Sequence, residues 1–167
     1  MNTVTFKGNL MHLEGEMPAL NSKIKDFSLL ANDLSKKTPK DYEGKVLVIV
    51  AVPSLDTGVC DMEVRKFNEK AASLSKDVSI IAVSLDLPFA QSRWCGAAGV
   101  SNVETLSDHY SAEFGKTYGI LIKELRLLAR SIFVYDKTGT LTYSELVGEV
   151  AHEPNYDAAY EAVQKAL

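Results

Sequence analysis

Seven consecutive apolar residues, Val46-Leu47-Val48-Ile49-Val50-Ala51-Val52, constrain this chain more than any other stretch. An apolar run without alternation fits a strand buried on both faces of a sheet. Pro53 ends it, because proline has no N–H to give to a strand ladder. Ser54 to Gly58 then form a loop, with Thr57 and Gly58 suited to a tight turn. Beyond the loop, Cys60, Val64, Phe67, Ala71 and Leu74 recur at steps of four, three, four and three, which is one face of a helix. Val78 to Val83 is a second buried strand. Strand, helix and strand in this order make a βαβ unit with a right-handed crossover, and commit the chain to an α/β sheet covered on both sides.

The remaining segments attach to this unit. Val4 and Phe6 alternate with polar residues, Lys7-Gly8-Asn9 is a turn, and Leu10 to Leu13 returns as the second arm of an N-terminal β-hairpin. Asp26 to Leu30 reads as a short strand, and Lys36 to Gly44 as a polar loop. Pro88 suits an early helical position, with Phe89 to Cys95 continuing the helix and Gly96 ending it. Val103 to Leu106 is a short strand and Ala112 to Tyr118 a helical turn. Ser131 to Tyr135, the turn Asp136-Lys137-Thr138-Gly139 and Leu141 to Val147 make an antiparallel hairpin. Tyr156, Tyr160, Val163 and Leu167 form the stripe of a last helix, capped by Asn155. No linker or repeat divides the chain, so residues 1–167 are expected to form a single domain.

Composition narrows the function. Net charge is −4 and no block of like charges occurs, which argues against nucleic-acid binding. The start, Met1 to Lys7, lacks the basic-then-apolar layout of a signal peptide. No apolar run approaches the roughly 18 residues needed to cross a bilayer. The expected setting is cytoplasmic, with no membrane association. There a permanent structural disulfide between the two cysteines, Cys60 and Cys95, is disfavoured. His12, His109 and His152 are scattered without ligand spacing, so no metal site is expected.

Cys60 is the residue with chemistry in it. It falls in the first turn of a helix, where unpaired backbone N–H groups and the positive end of the helix dipole gather. That setting favours a thiolate. A buried inert cysteine would fit the helix stripe equally well, so the flanking residues decide. The pattern Pro53-x-x-x-Thr57-x-x-Cys60 resembles the active-site signature of the peroxiredoxins, and Asp56-Thr57-Gly58-Val59-Cys60 is similar to their thiol peroxidase branch. Pro88 to Cys95 resembles that branch's second cysteine segment, with Trp94 where another aromatic is usual. Leu127 to Val134 and the ending Glu153 to Ala159 are also similar.

The resemblance covers nearly the whole chain and implies a thioredoxin-like fold with peroxiredoxin insertions. It implies a peroxidase acting on hydrogen peroxide and alkyl hydroperoxides, homodimeric, without cofactor, and recycled by thioredoxin. Carried onto this sequence, Cys60 attacks the peroxide and becomes a sulfenic acid, and Cys95 resolves it through an intrachain Cys60–Cys95 disulfide. Pro53 shapes the loop, Thr57 donates a hydroxyl, and the Val59 and Cys60 backbone amides bind the substrate. Arg130 supplies the cation. On its own residues Arg130 better suits a solvated strand-edge charge or a surface ion pair, and it is the resemblance that assigns it this role; Arg126 and Arg93 are weaker alternatives. A thiolate alone does not suffice. Ionising a thiol fully at neutral pH gains about 30-fold, or about 2 kcal/mol, so fixed donors must also polarise the peroxide.

Two carboxylates flank this loop. Asp61 is expected to point away from the sulfur, because a carboxylate beside it would oppose ionisation. Asp56 is expected to serve the loop or cap the helix. Three other activities compete. A thioredoxin-type disulfide oxidoreductase would want Cys-x-x-Cys, which Cys60-Asp61-Met62-Glu63 does not provide. A cysteine hydrolase would need a histidine base, and only His109 is available. A redox sensor, oxidised once per signal, remains compatible with the sequence.

Overall fold

The computed structural model describes residues 2–167; Met1, the first residue of the stretch read as lacking a signal peptide, lies outside them. The chain begins with the expected hairpin. Strands β1 (Thr3–Phe6) and β2 (Asn9–Glu14) pair antiparallel, with Thr3 opposite His12. The turn between them takes positive φ at Lys7 (50°) and Gly8 (82°), the backbone twist that two-residue hairpin loops require.

Two short strands follow, β3 (Leu29–Leu30) and β4 (Lys36–Lys37), which pair with each other. The strand expected over Asp26 to Leu30 is therefore confined to its last two residues. The loop expected from Lys36 instead contributes an edge strand and a 3-10 turn, Pro39–Tyr42. Charged side chains at an edge strand, here exposed Lys36 and half-buried Lys37, are a common way to blunt a sheet edge.

The central unit is β5 (Val46–Ala51), α1 (Gly58–Ala71) and β6 (Val78–Ser84). All six residues of β5 are buried. It pairs parallel with β6, Val46 opposite Val78. Next come α2 (Pro88–Ala98), β7 (Glu104–Ser107) and α3 (Glu113–Thr117). Helix α2 does not end at Gly96. It runs to Ala98 and stops at Gly99, whose φ of 68° is left-handed. The Cys95 carbonyl accepts from the N–H of Gly99 and of Val100, so the helix closes where a residue without Cβ can turn. A glycine three positions earlier remains helical because nothing forces the turn there.

Strands β8 (Leu121–Ile122) and β9 (Leu127–Leu128) form a small hairpin that the sequence reading did not separate. Strand β8 pairs with β2, giving a four-stranded sheet in the order β1-β2-β8-β9. The last elements are the expected hairpin, β10 (Ser131–Tyr135) and β11 (Leu141–Leu146), and helix α4 (Tyr156–Ala166). Asn155 caps α4 by accepting the Ala158 N–H at 3.1 Å.

The main sheet has seven strands in the order β11-β10-β5-β6-β7-β3-β4. Period-two alternation splits its core in two. Leu47, Ile49, Ala51, Ile81, Val83, Phe133 and Tyr135 face the small sheet and the aromatic stack of α3. Val46, Val48, Val50, Ile80, Ala82, Ile132 and Val134 face α1 and α4, together with Cys60, Val64, Phe67, Ala159 and Val163. The Cys60 side chain thus belongs to the second core.

Candidate active site

A loop held from three sides carries Cys60. Pro53 is buried two residues after the end of β5. The Ser54 hydroxyl donates to Asp86 Oδ1 at 2.7 Å, and the Leu55 N–H donates to Asp86 Oδ2 at 2.9 Å. Asp86 itself is fixed by the Ser84 hydroxyl at 2.8 Å. A carboxylate beyond the end of β6 therefore clamps the loop beyond the end of β5.

Thr57 is the N-cap of α1. Its hydroxyl donates to the Ser54 carbonyl at 3.1 Å and accepts the Cys60 N–H at 3.4 Å. This changes two expected roles. The Thr57 proton is directed into the loop rather than toward the sulfur, and the Cys60 amide is engaged by the cap. Both follow from the helix start, whose unpaired donors take the nearest side-chain oxygen. The Val59 N–H has no acceptor among the described residues. Asp56 is exposed and takes no part in the cap.

Arg130 comes to the same point from the start of β10. Its side chain is 2% exposed. The guanidinium donates from Nε to the Val150 carbonyl at 3.0 Å, and from Nη1 to the Cys60 sulfur at 3.2 Å. Nη1 also donates to Glu63 Oε2 at 2.7 Å. Burial by itself would lower the Arg130 pKa, but the neighbouring sulfur and the Glu63 carboxylate more than offset it and hold it above the ordinary range. Arg126, in the exposed β8–β9 turn, and Arg93, exposed on α2, make no hydrogen bond to the Cys60 sulfur among the described residues, whereas Arg130 does.

Glu63 was missed by the sequence reading. It is fully buried on α1, and burial pushes its carboxyl up to about 7 while Arg130 pulls it down. Its Oε1 has no partner among the described residues. One signal was available: Glu63 follows Cys60 by three positions and precedes Val64, so it lies on the inward stripe. Removing one partner of such a buried pair typically costs about 3–5 kcal/mol.

The second cysteine lies in the last turn of α2 and is partly exposed; both cysteines are free thiols. Cys95 Sγ is 3.4 Å from Thr105 Oγ1. The Thr105 hydroxyl gives its proton to Asn32 Oδ1 at 2.9 Å, leaving its oxygen to accept the Cys95 S–H. A link between the two helices runs through Asp61. As expected, its carboxylate bonds elsewhere than to the sulfur, accepting Trp94 Nε1–H at 2.8 Å and Arg65 Nε–H at 3.0 Å. The Arg65 guanidinium also lies 5.8 Å over the Trp94 ring.

His109 follows β7 with its N–H on Ser107 Oγ, and no histidine bonds to either cysteine among the described residues. No helix among them is long and apolar enough to cross a membrane.

Residues 19–160 match the Redoxin family. The chain is similar over its full length to two proteins named thiol peroxidase. It is 50% identical to that of Bacillus subtilis, covering 99% of it, and 52% identical to that of Halalkalibacterium halodurans, covering all of it. Among solved structures it is similar to a peroxiredoxin-like protein from Aquifex aeolicus, with 37% identity and a TM-score of 0.93, covering all of this chain and 98% of that one.

Proposed function

The chain belongs to the Redoxin family, and within it to the thiol peroxidases; from that premise we propose that it reduces hydrogen peroxide and alkyl hydroperoxides through Cys60, with Cys95 as resolving thiol and thioredoxin as reductant. The observation that carries this reading is the Arg130 Nη1 standing 3.2 Å from a fully buried Cys60 sulfur. A guanidinium stays charged at working pH. In a buried site it stabilises an anionic sulfur and the negative charge that develops as the peroxide bond breaks.

In the first step the Cys60 thiolate forms a bond to the terminal oxygen of ROOH and the O–O bond breaks. The sulfur loses two electrons and becomes a sulfenic acid, and RO⁻ leaves and takes up a proton as ROH. Both electrons come from sulfur, so the step needs no cofactor. Arg130 and the free Val59 N–H are the donors to the peroxide oxygens. Thr57 and Pro53 act through the loop, by holding the helix start that presents Val59 and Cys60.

In the second step the Cys95 thiol attacks the sulfenic sulfur, water leaves, and the Cys60–Cys95 disulfide forms. A thioredoxin dithiol then restores both thiols. For the disulfide the Cα atoms must come within about 7 Å. The first turn of α1 and the Trp94-Cys95-Gly96 segment are therefore the parts that move. A homodimer, a cytoplasmic setting and a single domain over residues 1–167 belong to the same proposal and rest on the family.

The test is peroxide-dependent oxidation of reduced thioredoxin by wild type, Cys60→Ser and Cys95→Ser. Cys60→Ser should be inactive because serine forms no sulfenic acid. Cys95→Ser should consume one equivalent of peroxide and then stall. Sustained turnover by either variant would remove the corresponding assignment.

A further inference from the structure

Cys60 and Glu63 share one nitrogen. Arg130 Nη1 donates to the sulfur at 3.2 Å and to Glu63 Oε2 at 2.7 Å. Cys60 and Glu63 are each 0% exposed and Arg130 is 2% exposed. With both acids ionised, this buried cluster holds two negative charges against one positive. With a single proton added it is neutral. A net charge is costly to bury, and a neutral hydrogen-bonded cluster is not. Glu63 also keeps a buried oxygen, Oε1, without a partner, which an ionised carboxylate would not tolerate well and which offers a place for a proton.

We propose that Glu63 is a positioning residue that holds Arg130 against Cys60 and takes up the proton when Cys60 ionises, so that the thiolate forms with Glu63 neutral. The transfer is Cys60–SH plus Glu63–COO⁻ giving Cys60–S⁻ plus Glu63–COOH, with no change in the charge of the cluster. The same proton is then held inside the site when RO⁻ leaves. The inference rests on the reading of Cys60 as the peroxide-reacting thiol.

The surroundings support a proton on Glu63. Burial raises its carboxyl to about 7, and Glu145 on β11 and Glu153 before α4 push in the same direction. Glu153 is itself held ionised, below the ordinary range, by Lys66. Tyr156 and Tyr160 on α4 also face Glu63, and burial pushes both phenols above their ordinary range, so neither titrates near neutral pH. Arg130 is the one cation hydrogen-bonded to the carboxylate among the described residues.

Two acids coupled through one cation titrate as a pair, in two macroscopic steps. The experiment follows thiolate absorbance against pH in Cys95→Ser protein, where Cys60 is the remaining thiol, with and without Glu63→Gln. The amide oxygen that this substitution introduces still accepts from Arg130, so the variant keeps the hydrogen bond and loses the proton site. With Glu63 present the absorbance should rise almost wholly in the first of these steps, because the thiolate forms while Glu63 keeps the proton. With Glu63→Gln, whose neutral amide stands in for the protonated carboxyl, it should rise in one step at nearly the same pH as that first step. Infrared spectra supply a second measurement. At a pH where the thiolate has formed, the protein with Glu63 should show a protonated carboxyl band that Glu63→Gln lacks. Asp108, whose carboxyl burial raises to about 6, is common to both and cancels.

A Glu63→Gln curve shifted to acid by about one unit or more, the sign of an ionised Glu63 beside the thiol in wild type, would overturn the proposal, as would the absence of the carboxyl band. Neither measurement uses peroxide or reductant. Turnover by Cys60→Ser would therefore sink the peroxidase reading while leaving this titration to be judged separately.

Discussion

Cys60 and Cys95 are the same residue in opposite electrostatic surroundings. Cys60 opens a helix. Its sulfur, with no solvent exposure, lies in the first turn of α1 with the Arg130 guanidinium 3.2 Å away. Cys95 closes a helix. Its own carbonyl takes the bonds from Gly99 and Val100, and its partly exposed sulfur rests on a threonine hydroxyl. It also borders a cavity of about 560 Å³ lined by Asn32, Ser101, Glu104 and Thr105. Helix starts attract negative charge and helix ends repel it. One sulfur thus has a buried cation beside it, and the other has only a neutral hydroxyl. The Asp61 carboxylate, bonded to Trp94 at 2.8 Å, ties the two helices together, so neither sulfur leaves its place without disturbing that link.

The most damaging way to break this contrast is to remove the cation from Cys60. Arg130→Ala, made together with Glu63→Gln so that no bare carboxylate is left buried, should lower the second-order rate with peroxide by about 10²-fold or more. Stopped-flow measurement of the first oxidation checks this. A loss below about threefold, well short of what a lost oxyanion-type donor costs, would mean that Arg130 serves the fold and not the sulfur.

The contrast is sharpened by watching the link fail. One equivalent of hydroperoxide added to reduced protein should remove two thiols per chain, leave a monomer-mass species in denaturing conditions, and change the emission of Trp94, the single tryptophan. A disulfide joining two chains would show that Cys95 resolves a partner's Cys60 and that the intrachain model is wrong.

Glu63 adds a pH signature. Its carboxyl is raised from 4.5 to about 7 by burial, so folding takes up a proton between those values. The stability that neutral Glu63 brings is complete below about 4.5 and is lost as pH rises through about 7. Glu63→Gln lacks that loss. Its Tm should match wild type near the acid limit and exceed it increasingly toward neutral pH. A difference that stays constant across this window would show that Glu63 does not titrate there.

The smallest effect concerns the hold on Cys95. Thr105→Val removes an S–H···O bond worth about 1 kcal/mol, which is about fivefold in a rate. Disulfide formation after the first oxidation should quicken by up to that factor, while the first oxidation itself is unchanged. Thr105→Ser keeps the hydroxyl and should behave as wild type. Equal resolution rates in all three proteins would mean that the Thr105 contact does not restrain the thiol.

Local rules were enough to read much of this molecule from its sequence. The apolar run fixed β5, the four-three spacing fixed α1, and a cysteine at the first position of that spacing had to lie at a helix start. Asn155 and the Asp136 to Gly139 turn were equally legible, because caps and turns depend on residues within a few positions of one another. The resemblance of the Pro53 to Cys60 and Pro88 to Cys95 segments supplied the family.

Tertiary structure decided what depends on distant partners. Sequence spacing could not say that Arg130 would meet Glu63 across 67 positions, or that one nitrogen would serve both Glu63 and Cys60. Nor could it say that Asp86 would clamp the loop after β5, or that the Thr57 hydroxyl would turn inward to the Ser54 carbonyl. The β8–β9 hairpin was hidden for the same reason, since two-residue strands carry no periodicity and exist because β2 lies beside them. A helix stripe tells which residues face inward. Whether a charge on that stripe is tolerated depends on the opposite charge brought to it by another element, and only the folded chain makes that pairing.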